Sequence, residues 1–175
     1  ERHLKYLGVM LDDRLNFNEH VEYICEKAAK AHTALARIMP NTYGPRSSRR
    51  RLLATVITSQ LRYGGPAWTK ALEIKKNQTL LNRVHRLSAM RVTSAYRTIS
   101  FDAACVLAGM TPITITIEED SKCYNERTRN AQSARQTRKR EKAESTSKWQ
   151  AEWDASTKGR WTHQLIPNIE AWTNR

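Results

Sequence analysis

The sequence predicts a mainly α-helical protein that begins with a β-hairpin, and three observations support this prediction. A short run of apolar, β-compatible residues lies between Leu4 and Leu11. After it, apolar residues recur at helical spacing in stretches that end at Pro or Gly. A polar, strongly basic stretch then precedes a C-terminal segment that contains four tryptophans. We therefore expect a hairpin, a three-helix bundle, a long basic helix or linker, and a small Trp-rich helical segment, over residues 1–17, 18–110, 111–148 and 149–175.

The predicted turn of the hairpin is Asp12-Asp13-Arg14, because these residues favour turns and an alternating pattern resumes at Leu15 and Phe17. Two adjacent carboxylates after an apolar run are also what the metal-binding pair of a polymerase or nuclease would present. The local pattern leaves both interpretations open.

The first helix is predicted from a capping box and a proline. Asn16 and Glu19 have the spacing of the capping box, and Pro40 ends the helical pattern. Between these signals, the apolar residues that share one helical face are Val21, Ile24, Cys25, Ala28, Ala29, Leu35 and Met39. We expect this face to be buried.

Two further helices are predicted in the middle of the chain. The second begins at Ser47 or Ser48 and ends at Gly64-Gly65-Pro66, with an expected buried stripe of Leu52, Leu53, Val56, Ile57 and Leu61. The third is expected from about Leu72 to Ala95. Its predicted inward residues are Leu80, Leu81, Val84, Leu87 and Ser88, and its outward or flanking residues are Lys75, Lys76, Arg83, Arg86 and Arg91.

The pattern then predicts a short helix over Phe101–Ala108, with Ser100 as its N-cap and Gly109 after its last residue. Thr111-Pro112 is typical of a helix start. The alternation of Ile113, Ile115 and Ile117 would suit a strand, but the helical pattern that continues through Tyr124 favours a helix.

The segment that follows Arg127 is polar on all sides, so it is either a solvated helix or a disordered linker. Trp149 and Trp153 fall on one helical face, and together with Trp161 and Trp172 they could stack nucleic-acid bases or pack against the bundle. Packing is the preferred interpretation.

Charge points to a partner that carries phosphate. The chain has 30 Lys and Arg against 17 Asp and Glu, a net charge of +13. Residues 41–117 hold twelve basic and two acidic residues, whereas residues 1–40 are balanced at six of each. Arg46, Arg49, Arg50 and Arg51 surround the start of the second helix, where cations oppose the helix macrodipole, so a purely structural reason for this cluster is weak.

Other residue types limit the function classes. Cys25, Cys105 and Cys123 are far apart and form no C-x-x-C motif, which is typical of a reduced, intracellular protein. The histidines lack partners at zinc-site spacing, and no run of about 18 apolar residues predicts a membrane span. A strand-like pattern is already present at Leu4, so we expect the chain to be a piece of a longer polypeptide.

Four short motifs occur in this order along the chain: "YLGVMLDDRLNFNEHV", "LRYGGPAW", "AYRTISFDAACVLAGMTPI" and "KGRWTHQLIP". Together they resemble the C-terminal part of the reverse transcriptase of non-LTR (LINE-like) retrotransposons. The resemblance implies that residues 1–17 are the primer-grip hairpin at the end of the palm, with Tyr6, Leu7, Gly8 and Val9 holding the primer end. It also implies that residues 18–110 form the thumb.

In this family the catalytic motif consists of an aromatic residue, then any residue, then Asp-Asp. Here Met10 and Leu11 precede the pair, so the resemblance makes Asp12 and Asp13 turn residues and places the catalytic carboxylates upstream. It thus implies no catalytic or metal-binding residue and no cofactor in this segment, and Mg²⁺ for the parent polymerase. The implied partners are the upstream palm and fingers, an RNA/DNA heteroduplex, the element RNA and target DNA, and the implied location of the parent is the nucleus after cytoplasmic synthesis.

A polymerase must hold a duplex of changing sequence, so its contacts should be to phosphates and sugars. The candidate residues are Arg46, Arg49, Arg50, Arg51, Lys75, Lys76, Arg83, Arg86 and Arg97. A second group, Arg135, Arg138, Lys139, Arg140 and Lys142, either holds element RNA or target DNA or belongs to an inert tether. The alternative functions are a stand-alone basic helical nucleic-acid-binding protein and a metal nuclease that uses Asp12 and Asp13.

Overall fold

The computed structural model describes residues 3–129 and 134–174, and the predicted mainly α fold with an N-terminal hairpin is confirmed. The strands are β1 (His3–Tyr6) and β2 (Val9–Asp12). The helices are α1 (Asn18–Arg37), α2 (Ser47–Leu61), α3 (Gly65–Trp68), α4 (Lys75–Thr93), α5 (Phe101–Ala108), α6 (Ile113–Arg129), α7 (Ala134–Ala155), α8 (Arg160–Leu165) and α9 (Ile169–Thr173). A 3₁₀ turn (Thr69–Glu73) joins α3 to α4.

The hairpin turn lies at Leu7-Gly8, so its predicted position at Asp12-Asp13-Arg14 was wrong. Tyr6 pairs with Val9 in the antiparallel register. The two residues between them have φ of 46° and 85°, the left-handed conformations of a tight hairpin turn, and Gly8 adopts its φ without strain. Asp12 is the last residue of β2 instead.

Helix α1 begins two residues after the predicted cap. Its N-cap is Phe17 in a left-handed conformation, with no side-chain cap, so the predicted capping box of Asn16 and Glu19 was wrong. The buried face of α1 includes Val21, Ile24, Cys25 and Ala28 as expected. It also includes His20, whose Nδ1 accepts a hydrogen bond of 3.2 Å from the Met10 N–H and so connects α1 to β2.

The first core is formed by α1, α2, α3, α4 and α6. Its largest fully buried side chains include Ile57, Leu61, Trp68 and Leu81. The predicted stripe of α2 was partly wrong, because Leu52 is 69% and Val56 is 42% exposed. The buried residues of α2 are Arg50, Ala54, Ile57 and Leu61, since α1 and α4 cover the face that carries these residues.

Gly64-Gly65-Pro66 ends α2 and also starts α3, which the sequence did not predict. Trp68 at the end of α3 is completely buried and donates from Nε1 to the Tyr63 carbonyl at 2.9 Å. This inserted helix and the 3₁₀ turn delay the start of α4 to Lys75. Within α4, Leu87 is 36% exposed, contrary to prediction, and His85 and Ala89 are buried instead.

Helix α5 agrees with prediction at both ends. The Ser100 hydroxyl accepts from the Ala103 N–H at 3.2 Å, and Gly109 follows the helix with a φ of 59°. Both signals are local in the sequence, because an N-cap and a left-handed C-terminal residue act within one helical turn.

Helix α6 explains the alternating isoleucines. Ile113 and Ile117 lie in the first core, whereas Ile115 lies in a second core formed with α5, α7, α9 and Ile166, which follows α8. All three side chains are fully buried. A helix that is covered on two sides produces this alternation without being a strand, so the prediction of a helix is confirmed.

The Trp-rich segment packs in the second core. Trp149 and Trp153 are 4% and 1% exposed, and Trp153 Nε1 donates to the Ile166 carbonyl at 2.9 Å. Trp172 packs against the same cluster, whereas Trp161 is 82% exposed. The preferred interpretation of packing therefore holds for Trp149 and Trp153.

Among residues 3–129 and 134–174, no single helix is long and apolar enough to cross a membrane, and α5 with α6 would qualify only as a bent pair with 64° between its halves.

Two buried histidines make stability depend on pH. Burial lowers the pKa of both His20 and His85 to about 4. The unfolded chain binds protons at these rings below about pH 6.5, whereas the folded chain does not until about pH 4, so stability falls as pH decreases through this window. We expect a loss of roughly 1–2 kcal/mol per histidine between pH 7 and pH 5, measured by urea unfolding.

The variant His85→Leu should reduce this pH dependence by the contribution of one histidine, about 1–2 kcal/mol between pH 7 and pH 5, whatever its effect on stability at pH 7. His163 provides the control, because it is not among the buried residues and its Nε2 contacts the exposed Asp154 carboxylate at 2.8 Å. His163→Gln should therefore not reduce the loss. A pH-independent unfolding free energy for the unchanged protein would contradict the assignment.

Candidate nucleic-acid interface

The four hairpin residues assigned to the primer grip occupy different environments. Tyr6 and Leu7 are 60% and 75% exposed, whereas Val9 packs against the first core. The Tyr63 hydroxyl donates to the Leu7 carbonyl at 3.0 Å, and its ring leaves little room for a side chain at Gly8, where a Cβ would lie 3.1 Å from Tyr63 Cε1. The turn is thus held from the segment between α2 and α3 and presents Tyr6 and Leu7 to solvent.

Asp12 is committed to the chain that follows the hairpin. Its carboxylate accepts hydrogen bonds from the backbone N–H groups of Arg14, Asn16 and Phe17 at 3.0, 3.2 and 2.7 Å. Partial burial would raise the pKa of Asp12, but these hydrogen bonds lower it below its usual value. Asp12 therefore ends β2, and its carboxylate holds the backbone of the turn that follows the strand. The described residues contain no group of three or more His, Cys, Asp or Glu side chains arranged to hold a metal ion.

Arg50 is not at the surface. Its side chain is 4% exposed, and its guanidinium donates to the carbonyls of Pro45 and Pro40, both at 2.6 Å, and of Arg91 at 3.1 Å. It therefore joins the segment after α1, the start of α2 and the last turn of α4. Gly44 is required beside it, because a Cβ there would lie 2.1 Å from the Pro40 carbonyl oxygen. A phosphate cannot reach Arg50, so Arg50 was wrongly predicted to bind nucleic acid.

Arg51 and Arg86 also donate to backbone carbonyls. Arg51 contacts the Ala108 carbonyl at 2.5 Å, at the end of α5. Arg86 donates from Nε to the Ile99 carbonyl at 3.0 Å and from Nη2 to the Arg97 carbonyl at 2.6 Å. A carbonyl is a neutral acceptor, so these residues keep their positive charge and contribute to the field around the bundle.

Four of the five basic residues of α4 share one face of the helix. At 3.6 residues per turn, Lys75, Lys76, Arg83 and Arg86 fall within about one third of the helix circumference and extend over about 16 Å. Lys75 and Arg83 are exposed and make no side-chain hydrogen bond or ion pair with any described residue. Lys76 pairs with Glu22 of α1 at 2.7 Å. We call these four residues the α4 stripe.

Arg46, Arg49 and Arg97 are exposed and also make no side-chain hydrogen bond or ion pair within the described part of the chain. Arg46 and Arg49 flank the start of α2, and the carbonyl of Arg97 is bonded by Arg86. The Arg50 bonds bring the start of α2 to the last turn of α4, so these exposed arginines lie at the same end of the bundle.

The basic residues of α7 divide into two groups. Arg135, Arg138 and Lys139 are exposed at spacings that place them on one side of the helix, and none is paired with a described residue. Arg140 instead contacts Glu126 of α6 and Glu141, which is 3% exposed. Lys142 is 3.4 Å from the Thr111 hydroxyl and 3.9 Å from Glu119. In this structure residues 134–148 are helical, and residues 130–133 lie outside the described residues.

The acidic cluster of α6 is engaged in ion pairs. Glu118 contacts Lys148 at 2.5 Å, Glu119 lies near Lys142, and Asp120 binds the Arg62 guanidinium through both carboxylate oxygens. These acids join α6 to α2 and α7.

Sequence reasoning missed two tyrosines of this region. Tyr43 is 103% and Tyr96 is 88% exposed, and they belong to the two loops at the end of the bundle where Arg46, Arg49 and Arg97 lie. The available signal was an aromatic residue close to arginine in "TYGPR" and "AYRT".

The chain is similar to Pol proteins of R1 elements. It is 27% identical over 185 residues to the retrovirus-related Pol polyprotein from type-1 retrotransposable element R1 4 of Nasonia vitripennis, covering 98% of this chain and 47% of that protein. It is 26% identical over 181 residues to the corresponding R1 polyprotein of Bradysia coprophila, covering 95% of this chain and 18% of that protein.

A third relative is the putative 115 kDa protein in type-1 retrotransposable element R1DM of Drosophila melanogaster, which is 26% identical over 186 residues. The chain spans about half, or less, of the length of these relatives. No protein-family model matches the chain, and no solved structure matches it significantly. The chain is therefore homologous to R1 non-LTR retrotransposon Pol polyproteins and corresponds to part of a retrotransposon protein.

Arg50 and Arg49 form a matched pair for testing burial. Arg50→Met removes the donors of four backbone carbonyls, those of Met39, Pro40, Pro45 and Arg91, and should lower the unfolding free energy by about 2–4 kcal/mol. Arg49→Met removes an exposed, unpaired charge and should change it by less than about 0.5 kcal/mol. Urea denaturation followed by circular dichroism measures both, and equal effects would show that the Arg50 bonds contribute nothing to stability.

Proposed function

We propose that this chain is the part of a retrotransposon RNA-directed DNA polymerase that holds the RNA/DNA primer–template duplex through sequence-independent phosphate contacts. The observation that carries the proposal is the α4 stripe, whose Lys75 and Arg83 are exposed and unpaired among the described residues. Homology to R1 Pol polyproteins supports the polymerase context. The polymerase activity itself resides in the longer polypeptide.

The length and charge of the α4 stripe suit a duplex backbone. A nucleic-acid duplex carries about one negative charge per 1.7 Å of axis, so the stripe lies beside roughly nine charges over its length of about 16 Å. Contacts of this kind position a duplex without reading its bases. A polymerase needs this property because the sequence in its grip changes at each step.

In the same proposal, the hairpin has the role of the primer grip. Tyr6 and Leu7 are the exposed residues of the turn, Gly8 permits its conformation, and Val9 fixes it to the core. Mg²⁺ and the catalytic carboxylates would then belong to the palm elsewhere in the polypeptide, because the Asp12 oxygens are already occupied by backbone N–H groups. The proposed partners are that palm and the fingers, and the proposed site of action is the nucleus.

The exposed face of α7 is a second proposed contact. Arg135, Arg138 and Lys139 would bind the phosphates of element RNA or target DNA, whereas Arg140 is engaged with Glu126 and Glu141. Since this face lies on a different helix from the α4 stripe, charge reversal on α7 can be measured separately from duplex binding.

The double variant Lys75→Glu with Arg83→Glu tests duplex binding. Four phosphate contacts predict a slope of log affinity against log salt of about −3 to −4 for the unchanged chain, and losing two of them should make the slope shallower by about 1.5–2. Fluorescence anisotropy with a labelled RNA/DNA hybrid between 50 and 200 mM salt measures this slope.

Lys27→Glu with Lys158→Glu is the matched control, because both lysines are exposed, unpaired with described residues and distant from the α4 stripe in sequence. It makes the same change in net charge. If both double variants lose the same amount of affinity for the hybrid, binding reflects net charge alone and not the α4 stripe. Affinity that does not depend on salt would also reject the proposal.

A further inference from the structure

Two almost completely exposed tyrosines lie at one end of the bundle. Tyr43 is 103% and Tyr96 is 88% exposed, although an aromatic ring is among the side chains that gain most from burial. Tyr43 also has a φ of 58°, a left-handed conformation that is unfavourable for a residue other than glycine. Such a conformation persists only where its surroundings fix it, and it is enriched at binding sites.

The loops that carry the tyrosines are fixed to each other. Tyr43 lies between Pro40 and Pro45, whose carbonyls bind the Arg50 guanidinium at 2.6 Å. The same guanidinium binds the carbonyl of Arg91, and Arg91 Nη1 is 3.4 Å from Asn41 Oδ1. The Ala95 N–H, next to Tyr96, bonds the Met90 carbonyl in the last turn of α4.

The second loop is held on its other side as well. Arg86 donates to the carbonyls of Arg97 and Ile99, which immediately follow Tyr96 in the chain. Both tyrosines are therefore presented by backbone that is bonded at several points, so little conformational entropy remains to be lost when they bind.

Positive charge surrounds these tyrosines without compensation. Arg46, Arg49 and Arg97 are exposed, and none is paired with a residue in the described part of the chain. Neither residues 38–50 nor residues 86–100 contain an Asp or a Glu. We call Tyr43, Tyr96, Arg46, Arg49 and Arg97 the tyrosine–arginine end.

We infer that the tyrosine–arginine end binds single-stranded nucleic acid, with unpaired bases stacked on Tyr43 and Tyr96 and the backbone phosphates contacted by Arg46, Arg49 and Arg97. Exposed aromatic faces combined with cations are the recognition chemistry of a single strand, because the bases of a duplex already stack on each other. A purely apolar partner would match this site less well, because it would provide no negative charge for the three arginines.

This site adjoins one end of the α4 stripe proposed for the duplex, because Arg86 of the stripe bonds the Arg97 carbonyl. Lys75 lies at the other end of the stripe, about 24 Å along the helix from the last turn of α4, and the residues changed in the two tests do not overlap. The inference rests on the proposed function only for the source of the strand, which would be the unpaired template beside the duplex. The two sites can therefore be tested independently on the same chain.

The test compares a labelled oligo(U) 12-mer with an RNA/DNA hybrid of the same length. Tyr43→Leu with Tyr96→Leu should weaken oligo(U) binding at least tenfold while hybrid affinity stays within twofold, because stacking contributes to binding only where bases are unpaired. Tyr43→Phe with Tyr96→Phe keeps both rings and should retain oligo(U) affinity. Tyr124→Leu, a change at another exposed tyrosine on α6, is the matched control and should have no effect.

A strand containing 2-aminopurine provides a second measurement, since its fluorescence is quenched by stacking and should recover in the Leu variant only. Loss of both ligands together, no loss in the Leu variant, or equal loss in Tyr124→Leu would overturn the inference. A chain that binds the hybrid but not oligo(U) also overturns it and leaves the duplex proposal intact. A chain that binds oligo(U) but not the hybrid overturns the duplex proposal alone.

Discussion

The arrangement of the bundle depends on the guanidinium of Arg50, which is buried without a carboxylate. Its partners are backbone carbonyls at or just beyond the C-terminal ends of α1 and α4 and before the start of α2. Carbonyls at helix C-termini lack intrahelical partners and carry partial negative charge, so several of them together can replace a counter-ion. The absence of a side chain at Gly44 leaves room for this contact. Among the arginines at the start of α2, Arg50 thus has a structural role. It positions the loops next to which the exposed arginines Arg46 and Arg49 lie.

The basic residues fall into two classes, according to whether an acidic side chain pairs with them. Acidic residues of α6 and α7 pair with Arg62, Lys142, Lys148 and Arg140, where they hold α6 between α2 and α7. On α4 and around the start of α2, by contrast, Lys76 alone pairs with a carboxylate, that of Glu22, and the other basic residues are bonded to neutral oxygen acceptors or exposed without partners among the described residues. Neither state cancels their charge. Positive charge without a carboxylate partner is therefore present where the proposed duplex and single-strand contacts lie.

Helix α6 is the element that relates these surfaces to the C-terminal segment. It places Ile113 and Ile117 in the first core and Ile115 in the second, so one rigid helix contributes to both. Trp149 and Trp153 close the second core from α7. Because both cores include α6, the basic face of α7 has a defined position on the bundle instead of belonging to a loose tether.

The sequence by itself determined the mainly α class, the hairpin and those helix ends whose signals act within one turn, such as Ser100 and Gly109 around α5. It also determined the excess of positive charge in the middle of the chain. Tertiary structure decided which face of α2 is buried, that α3 precedes α4, and which arginines remain exposed. The acceptors of Arg50 and Arg51 include the carbonyls of Arg91 and Ala108, which lie 41 and 57 residues away in the chain. No local pattern distinguishes Arg49 from Arg50, because the difference between an exposed cation and a buried one arises only when distant helix ends meet.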